Sequence, residues 1–371
     1  MLENRKISVR QFRVLVILFT IGTSILIVPS VLAFEAKQDA WIAAIIGVGL
    51  GLLVIFLYNK LGLMFPNMTF VQMNQKVFGK WLGKTISLLF FSLSFLYASS
   101  LLFYTGNFFI IEIMPETPLE AIVILMGIIM VMAVRLGLET FTRSAEIFIL
   151  FFVILFICLV FSISPEIEFE NIQPVFEVKL KPLLRAILFL VVTSSINAVV
   201  LLMVFPTYIN QPKEAGKSFL IGNLIGGLVM IIITFLCILV LGPYHSATQV
   251  YPGYELAKKI NVGNFLTRIE AIMAGMWMIT IYFKMVLYFY ASVLGITQIL
   301  NIKDYRPFTL PLGMIAIVLS LVIYPDVIYQ QEWDLKTASA FSLTVGLFLP
   351  LFMLVVAIFR KKMDKKKIHS R

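Results

Sequence analysis

The sequence predicts an all-α membrane protein of ten transmembrane helices in a 5+5 inverted repeat, with the first and sixth helices broken. Three observations carry this. Sixty per cent of residues are hydrophobic and 13% charged, with a mean hydropathy of +0.97, well beyond the roughly 45–50% apolar content of soluble domains. The apolar residues fall into ten runs of spanning length, about 20 residues each. Small polar residues interrupt two of those runs, Gly22-Thr23-Ser24 in the first and Thr193-Ser194-Ser195-Ile196-Asn197 in the sixth. A helix in lipid must satisfy its own backbone, so such stretches are tolerated mainly where the chain lines a protein-walled cavity. Paired interruptions in corresponding places point to the solute site of an inverted-repeat transporter fold.

The first span, residues 11–34, follows a basic N-terminus and ends before the polar stretch 35–39. In the second, 40–64, Gly47-Val48-Gly49-Leu50-Gly51 lacks the strand and acidic residue of a dinucleotide site, and predicts close helix packing instead. Residues 69–82 place Phe70, Val77, Phe78, Trp81 and Leu82 at roughly helical spacing, predicting a short in-plane helix on the cytoplasmic face. The third and fourth spans, 82–111 and 119–134, are parted by Met114-Pro115-Glu116-Thr117-Pro118, and the fifth, 144–163, stops at Ser164-Pro165. An external loop bearing Glu166, Glu168, Glu170 and Glu177 leads to the sixth span, 183–206. The seventh, 217–242, closes at Gly242-Pro243; the eighth is 265–296. Arg306-Pro307 precedes the ninth, 308–325, and Tyr324-Pro325-Asp326 the tenth, 338–359. Everything belongs to one polytopic domain, 1–371: a first repeat over about 11–163, a second over about 183–325, the tenth helix and a basic tail, 360–371.

Of the 30 Lys and Arg residues, 21 fall on the side carrying both termini and eight on the other. The excess of positive charge marks the cytoplasmic side, so both termini are cytoplasmic. The net charge of +10 sits in juxtamembrane loops and in the tail from Arg360 to Lys367; such clusters contact anionic lipid, and nucleic-acid binding is not expected. Arg5 and Lys6 before an apolar run, with Val31-Leu32-Ala33 beyond it, have the outline of a cleaved signal, but the ten-span reading accounts for all loops together. Cys158 and Cys237 lie within spans, and with His245 and His369 the only histidines neither a disulfide framework, a metal site nor a cofactor is expected. No catalytic constellation is present.

Charge within the spans is the strongest chemical signal. Lys284 has roughly 20 mostly apolar residues before it in the eighth span, and a cation at such depth costs several kcal/mol unless it faces a polar cavity or a partner. Trp277, Thr280, Lys284 and Tyr288 lie at i, i+3, i+7 and i+11, one stripe of a helix. Glu270 shares that face but lies about 21 Å away along the axis, so it is expected near the external end beside Arg268. In the third span Tyr97, Ser99, Ser100, Tyr104, Thr105 and Asn107 form a second polar cluster; Tyr97, Ser100 and Tyr104 are candidates for a cavity wall.

These residues carry a resemblance. Gly22-Thr23-Ser24-Ile25-Leu26-Ile27-Val28-Pro29 followed by Asp39-Ala40-Trp41-Ile42 is similar to the opening of the spore germination permeases, the B subunits of endospore germinant receptors. Phe78-Gly79-Lys80-Trp81-Leu82-Gly83, Thr117-Pro118, Arg268-Ile269-Glu270 leading to Trp277, and Tyr324-Pro325-Asp326 extend the match over about residues 10–360. The resemblance implies the amino acid/polyamine/organocation superfamily and its LeuT-like fold. It also implies a germinant-sensing role in the spore inner membrane, with an A subunit and a lipoprotein C subunit as partners and an amino acid, nucleoside or sugar as germinant. A proton- or cation-coupled amino-acid transporter is the competing expectation. Carried over residue by residue, the ligand would lie among Gly22, Thr23 and Ser24, Ser195 and Asn197, and Thr280, Lys284 and Tyr288. Freed N–H groups and the positive end of a half-helix suit a carboxylate, and unpaired carbonyls and hydroxyls suit an ammonium.

Overall fold

A computed structural model describes residues 6–260 and 270–369. Among them the regular structure is helical, apart from one isolated parallel bridge between Ile7 and Ile209. Helix α1 (Val9–Ile21) opens on a capping box, in which Ser8 accepts from the Gln11 N–H and the Gln11 side chain returns to the Ser8 backbone. It stops at Gly22, whose φ of +35° lies outside helical geometry, and α2 (Ser24–Ala36) starts after Thr23. A 3-10 turn, Lys37–Asp39, leads to α3 (Ala40–Met64). Buried Asp39 fastens this corner to a distant loop, accepting from the Phe176 and Val178 N–H groups at 2.9 and 3.0 Å.

Residues 69–82 form not one helix but two parts. Thr69 and Gln72 cap α4 (Phe70–Phe78), and Gly79, at φ +87°, separates it from α5 (Lys80–Phe108). Phe70 and Val77 are buried, while Trp81 and Leu82 open α5 and are exposed. Beyond a π turn come α6 (Leu119–Leu136) and α7 (Leu138–Ile163), then α8 (Leu180–Ser194), which passes into a 3-10 helix, Ile196–Met203. Helical run α9 (Pro212–Thr248) is broken at Gly242, the predicted end of the span, where φ +77° and ψ 163° are non-helical, and a second helical segment follows from Pro243. The short α10 (Pro252–Lys258), α11 (Glu270–Leu300) and α12 (Arg306–Val322) follow. The last helical run joins α13 (Val327–Trp333), α14 (Ser339–Ser342) and α15 (Leu349–His369) through π turns at Asp334–Ala338 and Leu343–Phe348. It therefore begins eleven residues before the predicted 338, because Asp326 caps it by accepting from the Tyr329 N–H and the charges at 332–336 lie on helix rather than loop.

Eight helical runs among the described residues are long and apolar enough to cross a membrane, and α12, at 17 residues, is a shorter apolar helix. With the apolar side chains Leu150, Phe151, Ile154, Ile157 and Phe161 of α7 exposed, the chain is an integral membrane protein whose outer helices face lipid. Inside, α1, α2 and α3 pack on α9, and α5 and α7 pack on α11. Small residues set the approaches. A Cβ at Gly47 or Gly51 of α3 would meet Leu190 at 2.8 Å or Ser195 Oγ at 2.3 Å, so α3 lies directly against α8.

Candidate functional site

Lys284 sits midway along α11 and is 2% exposed. Its Nζ donates to the Thr193 carbonyl at 3.0 Å and to Thr23 Oγ1 at 3.3 Å, and lies 5.2 Å from the centre of the Phe19 ring. One ammonium thus touches both interrupted segments, the α1–α2 gap and the end of α8. Charge-assisted hydrogen bonds contribute about 1.5–3 kcal/mol each and a cation–π contact about 0.5–2 kcal/mol. Together they are of the size needed to offset a buried cation at helix mid-length, about 2.5–3.5 kcal/mol on insertion scales. No carboxylate among the described residues pairs with it.

The lysine lines a cavity of about 50 Å³ together with Thr23, Ser24, Tyr97, Tyr104, Thr193, Asn197, Tyr288 and Asp334, closed by apolar Ile27, Leu101 and Phe189. Gly22 lies behind it. Its carbonyl accepts from Thr280 Oγ1 at 3.0 Å, and its bare Cα is what admits the lysine stem, since a Cβ there would stand 2.2 Å from Lys284 Cδ. Thr280 also donates to the Trp277 carbonyl and so supports the break without lining the cavity. Trp277, Thr280, Lys284 and Tyr288 are all buried, as one inward stripe.

Ser195 and Ser100 lie outside the lining. Ser195 Oγ donates to Asn223 Oδ1 at 3.2 Å, and Asn223 Nδ2 donates to Thr20 Oγ1 at 3.1 Å, a chain that ties α8 through α9 to α1. Ser100 Oγ bonds the Leu96 carbonyl and the Tyr324 hydroxyl. Asn197 Oδ1 accepts from Ser342 Oγ at 2.7 Å, and Ser342 in turn meets the Tyr97 hydroxyl at 2.6 Å. The second break is thereby joined to α5 and α14. Tyr97 stacks on Tyr288 at 5.3 Å between centroids. Glu270 opens α11 away from this cavity; Arg268, expected beside it, lies outside the described residues.

Asp334 is a site residue that the sequence does not single out. Its carboxylate accepts the Tyr104 hydroxyl at 2.6 Å and Gln330 Nε2 at 2.7 Å. The available signals were Gln330 four residues before it and Tyr104 seven after Tyr97 on α5, but Glu332 and Lys336 around it read as loop. Asp334, Ile27 and Phe189 also border a second, wider cavity of about 290 Å³ that includes Ser30, Glu35, Gln330 and Gln331. The two spaces share this wall.

The comparisons match this architecture. A family model described as spore germination protein matches residues 6–328. Spore germination protein KB of Bacillus subtilis (strain 168) is 29% identical over 373 residues, covering 98% of each chain. Spore germination protein YndE of the same organism is 24% identical over 372 residues, covering 97% of this chain and 98% of that one. Among solved structures, the nucleobase-cation-symport-1 family transporter MHP1, closed with bromovinylhydantoin bound, superposes with a TM-score of 0.61 at 12% identity over 90% of this chain and 76% of its own. A manganese transporter of Eremococcus coleocola gives 0.56 at 11% identity over 94% and 78%. These likenesses show the fold, that of the LeuT-like transporters.

Proposed function

Because the chain belongs to the spore germination protein family, whose members are permease-like rather than enzymatic, we propose that it is the germinant-sensing B subunit of a spore germinant receptor. It binds a small solute, such as an amino acid, in the cavity between the broken helices and passes the event to an A subunit and a lipoprotein C subunit in the spore inner membrane. Both termini face the cytoplasm. The observation that carries the reading is the Lys284 ammonium held by both interruptions at the wall of one cavity. A ligand that displaces either contact has different affinities for two arrangements of the breaks, which is all a receptor requires.

The same reading takes the architecture as ten spans in a 5+5 inverted repeat. The run Ser24–Met64 has 41 residues, about 60 Å if straight, twice a hydrocarbon core of about 30 Å. Divided at Lys37–Asp39, it supplies the second half of an interrupted first span and a complete second one. With α12 added, the total is ten.

Spores lacking the gene and complemented with this chain test the role. The wild-type chain is expected to restore germination to a particular amino acid, nucleoside or sugar, and Lys284→Met to abolish or retune it while protein still accumulates in the membrane. A normal dose response in that mutant removes the proposal. The likeness to solved transporters favours a second reading, a proton- or cation-coupled amino-acid transporter. Uptake of labelled solute by the chain alone in vesicles would select it, whereas a requirement for the A and C partners selects the receptor.

A further inference from the structure

We infer that the cavity recognises a short zwitterion by both ends, Lys284 receiving its carboxylate and Asp334 its ammonium. This rests on the cavity being the solute site, and adds the class of solute and a specificity residue on the last helical run.

The cavity wall holds one cation and one carboxylate that do not pair with each other. An ammonium has three donors and a carboxylate about four acceptor positions. Lys284 uses two donors, on Thr23 and Thr193. Asp334 takes only neutral donors, the Tyr104 hydroxyl and the Gln330 amide, which leave its charge uncompensated. Two further cavity-lining groups, Ser24 Oγ and the Tyr288 hydroxyl, are buried without a hydrogen-bond partner. Buried polar groups are ordinarily satisfied, and those that are not call for an explanation.

A guest that completes this set carries opposite charges at its two ends. A simple anion leaves Asp334 unmatched, a simple amine leaves Lys284 unmatched, and a sugar or nucleoside leaves both, each a costly arrangement away from water. Size agrees. About 10–15 Å³ of such space holds one water, so a cavity of about 50 Å³ suits glycine or alanine rather than a hexose or nucleoside. Asp334 also borders the wider cavity beside it, so the ammonium end meets its carboxylate at the shared wall.

The test is equilibrium binding to the purified full chain in lipid nanodiscs, with glycine, L-alanine, propionate, ethylamine and glucose as probes. Glycine and L-alanine are expected to bind about 10- to 100-fold tighter than the other three. Asp334→Asn should erase the advantage of alanine over propionate, and Asp334→Glu should restore part of it, which a merely structural aspartate would not do. Lys284→Met should erase the advantage over ethylamine. Unchanged alanine affinity in Asp334→Asn, or glucose binding tighter than alanine in the wild type, overturns the inference. Glucose binding that depends on Lys284 would do so while leaving the solute site standing; no binding by any probe overturns both. Should Asp334→Asn not fold, the wild-type ranking of the five probes decides alone.

Discussion

Gly22 is where chain geometry and chemistry meet. Its φ of +35° disfavours any side chain, and a Cβ there would stand 2.9 Å from the Phe19 carbonyl and 2.2 Å from the Lys284 stem. Gly22→Ala is therefore expected to cost about 1–3 kcal/mol and to dislodge Lys284, read as a lowered unfolding temperature together with weakened solute binding. Asn223→Ala should cost a similar amount, about 1–3 kcal/mol, by removing the acceptor of Ser195 Oγ and the donor to Thr20 Oγ1, but should change solute affinity far less because neither lines the cavity. At this scale the sequence was legible where a residue broke a pattern. Lys284 stands out in apolar sequence, and Gly22-Thr23-Ser24 in a helix of Leu, Ile and Val. Asp334 was illegible because its partners Tyr104 and Gln330 must be in place before its charge looks affordable; without them it is one of three charges within five residues, the usual mark of a loop. Ser195 was equally opaque, since spacing along a helix does not say whether a hydroxyl turns to a hollow or to Asn223.

Among elements, the last helical run is distinctive in carrying two π turns, which commonly mark functional positions in helices. They bring Ser342 to Tyr97 and Asn197, and Gly346 against the second break, where the Tyr58 hydroxyl reaches the carbonyls of both Ile196 and Gly346. A Cβ on Gly346 would lie 2.7 Å from the Ile196 carbonyl oxygen, a contact with backbone that has little room to yield. Gly346→Ala should thus destabilise by about 1–3 kcal/mol, measured by thermal unfolding. The short α10 is clamped differently, by Lys258 on Glu112 and Glu255 at 2.8 and 2.7 Å. Partial burial lowers the Lys258 pKa, but its hydrogen bonds to the two glutamates outweigh this and the net shift is upward. A raised lysine pKa contributes stability at pH below its unfolded value and loses it only as pH climbs through the folded one. The clamp should therefore be flat across neutral pH and fail in strong alkali. With Lys258 39% exposed, Glu112→Gln should cost no more than about 1 kcal/mol after solvent screening, and the loss should vanish in high salt. Helix existence was readable from apolar runs, as was the break at Gly242-Pro243, whereas other ends were not: the last run starts at Val327 rather than 338, and α4 is cut from α5 at Gly79.

For the whole molecule, composition alone settled the class, and the two interruptions indicated the plan. What composition could not supply is which helix lies at the centre. Helix α11 is among the most enclosed of the long helices and α7 the least, yet both read as apolar runs, because lipid and protein interior select the same residues. The arrangement of an inner cavity beside a wider one predicts graded access. In a Cys158→Ala background, Ser30→Cys, on the wider cavity, should react several times faster with a water-soluble thiol reagent than Ser24→Cys, on the inner one. Equal rates would mean that the shared wall of Ile27, Phe189 and Asp334 is no barrier.

The parallel bridge outside the helices has a mechanical corollary. The Ile7 N–H donates to the Tyr208 carbonyl at 2.8 Å and the Asn210 N–H to the Ile7 carbonyl at 3.2 Å, so the segment preceding α1 is laced to chain lying just past the 3-10 stretch that follows α8. Tension on the amino-terminal tail is shared between its own helix and a segment some two hundred residues downstream. A fusion partner attached at that end would therefore tug on both halves of the protein at once.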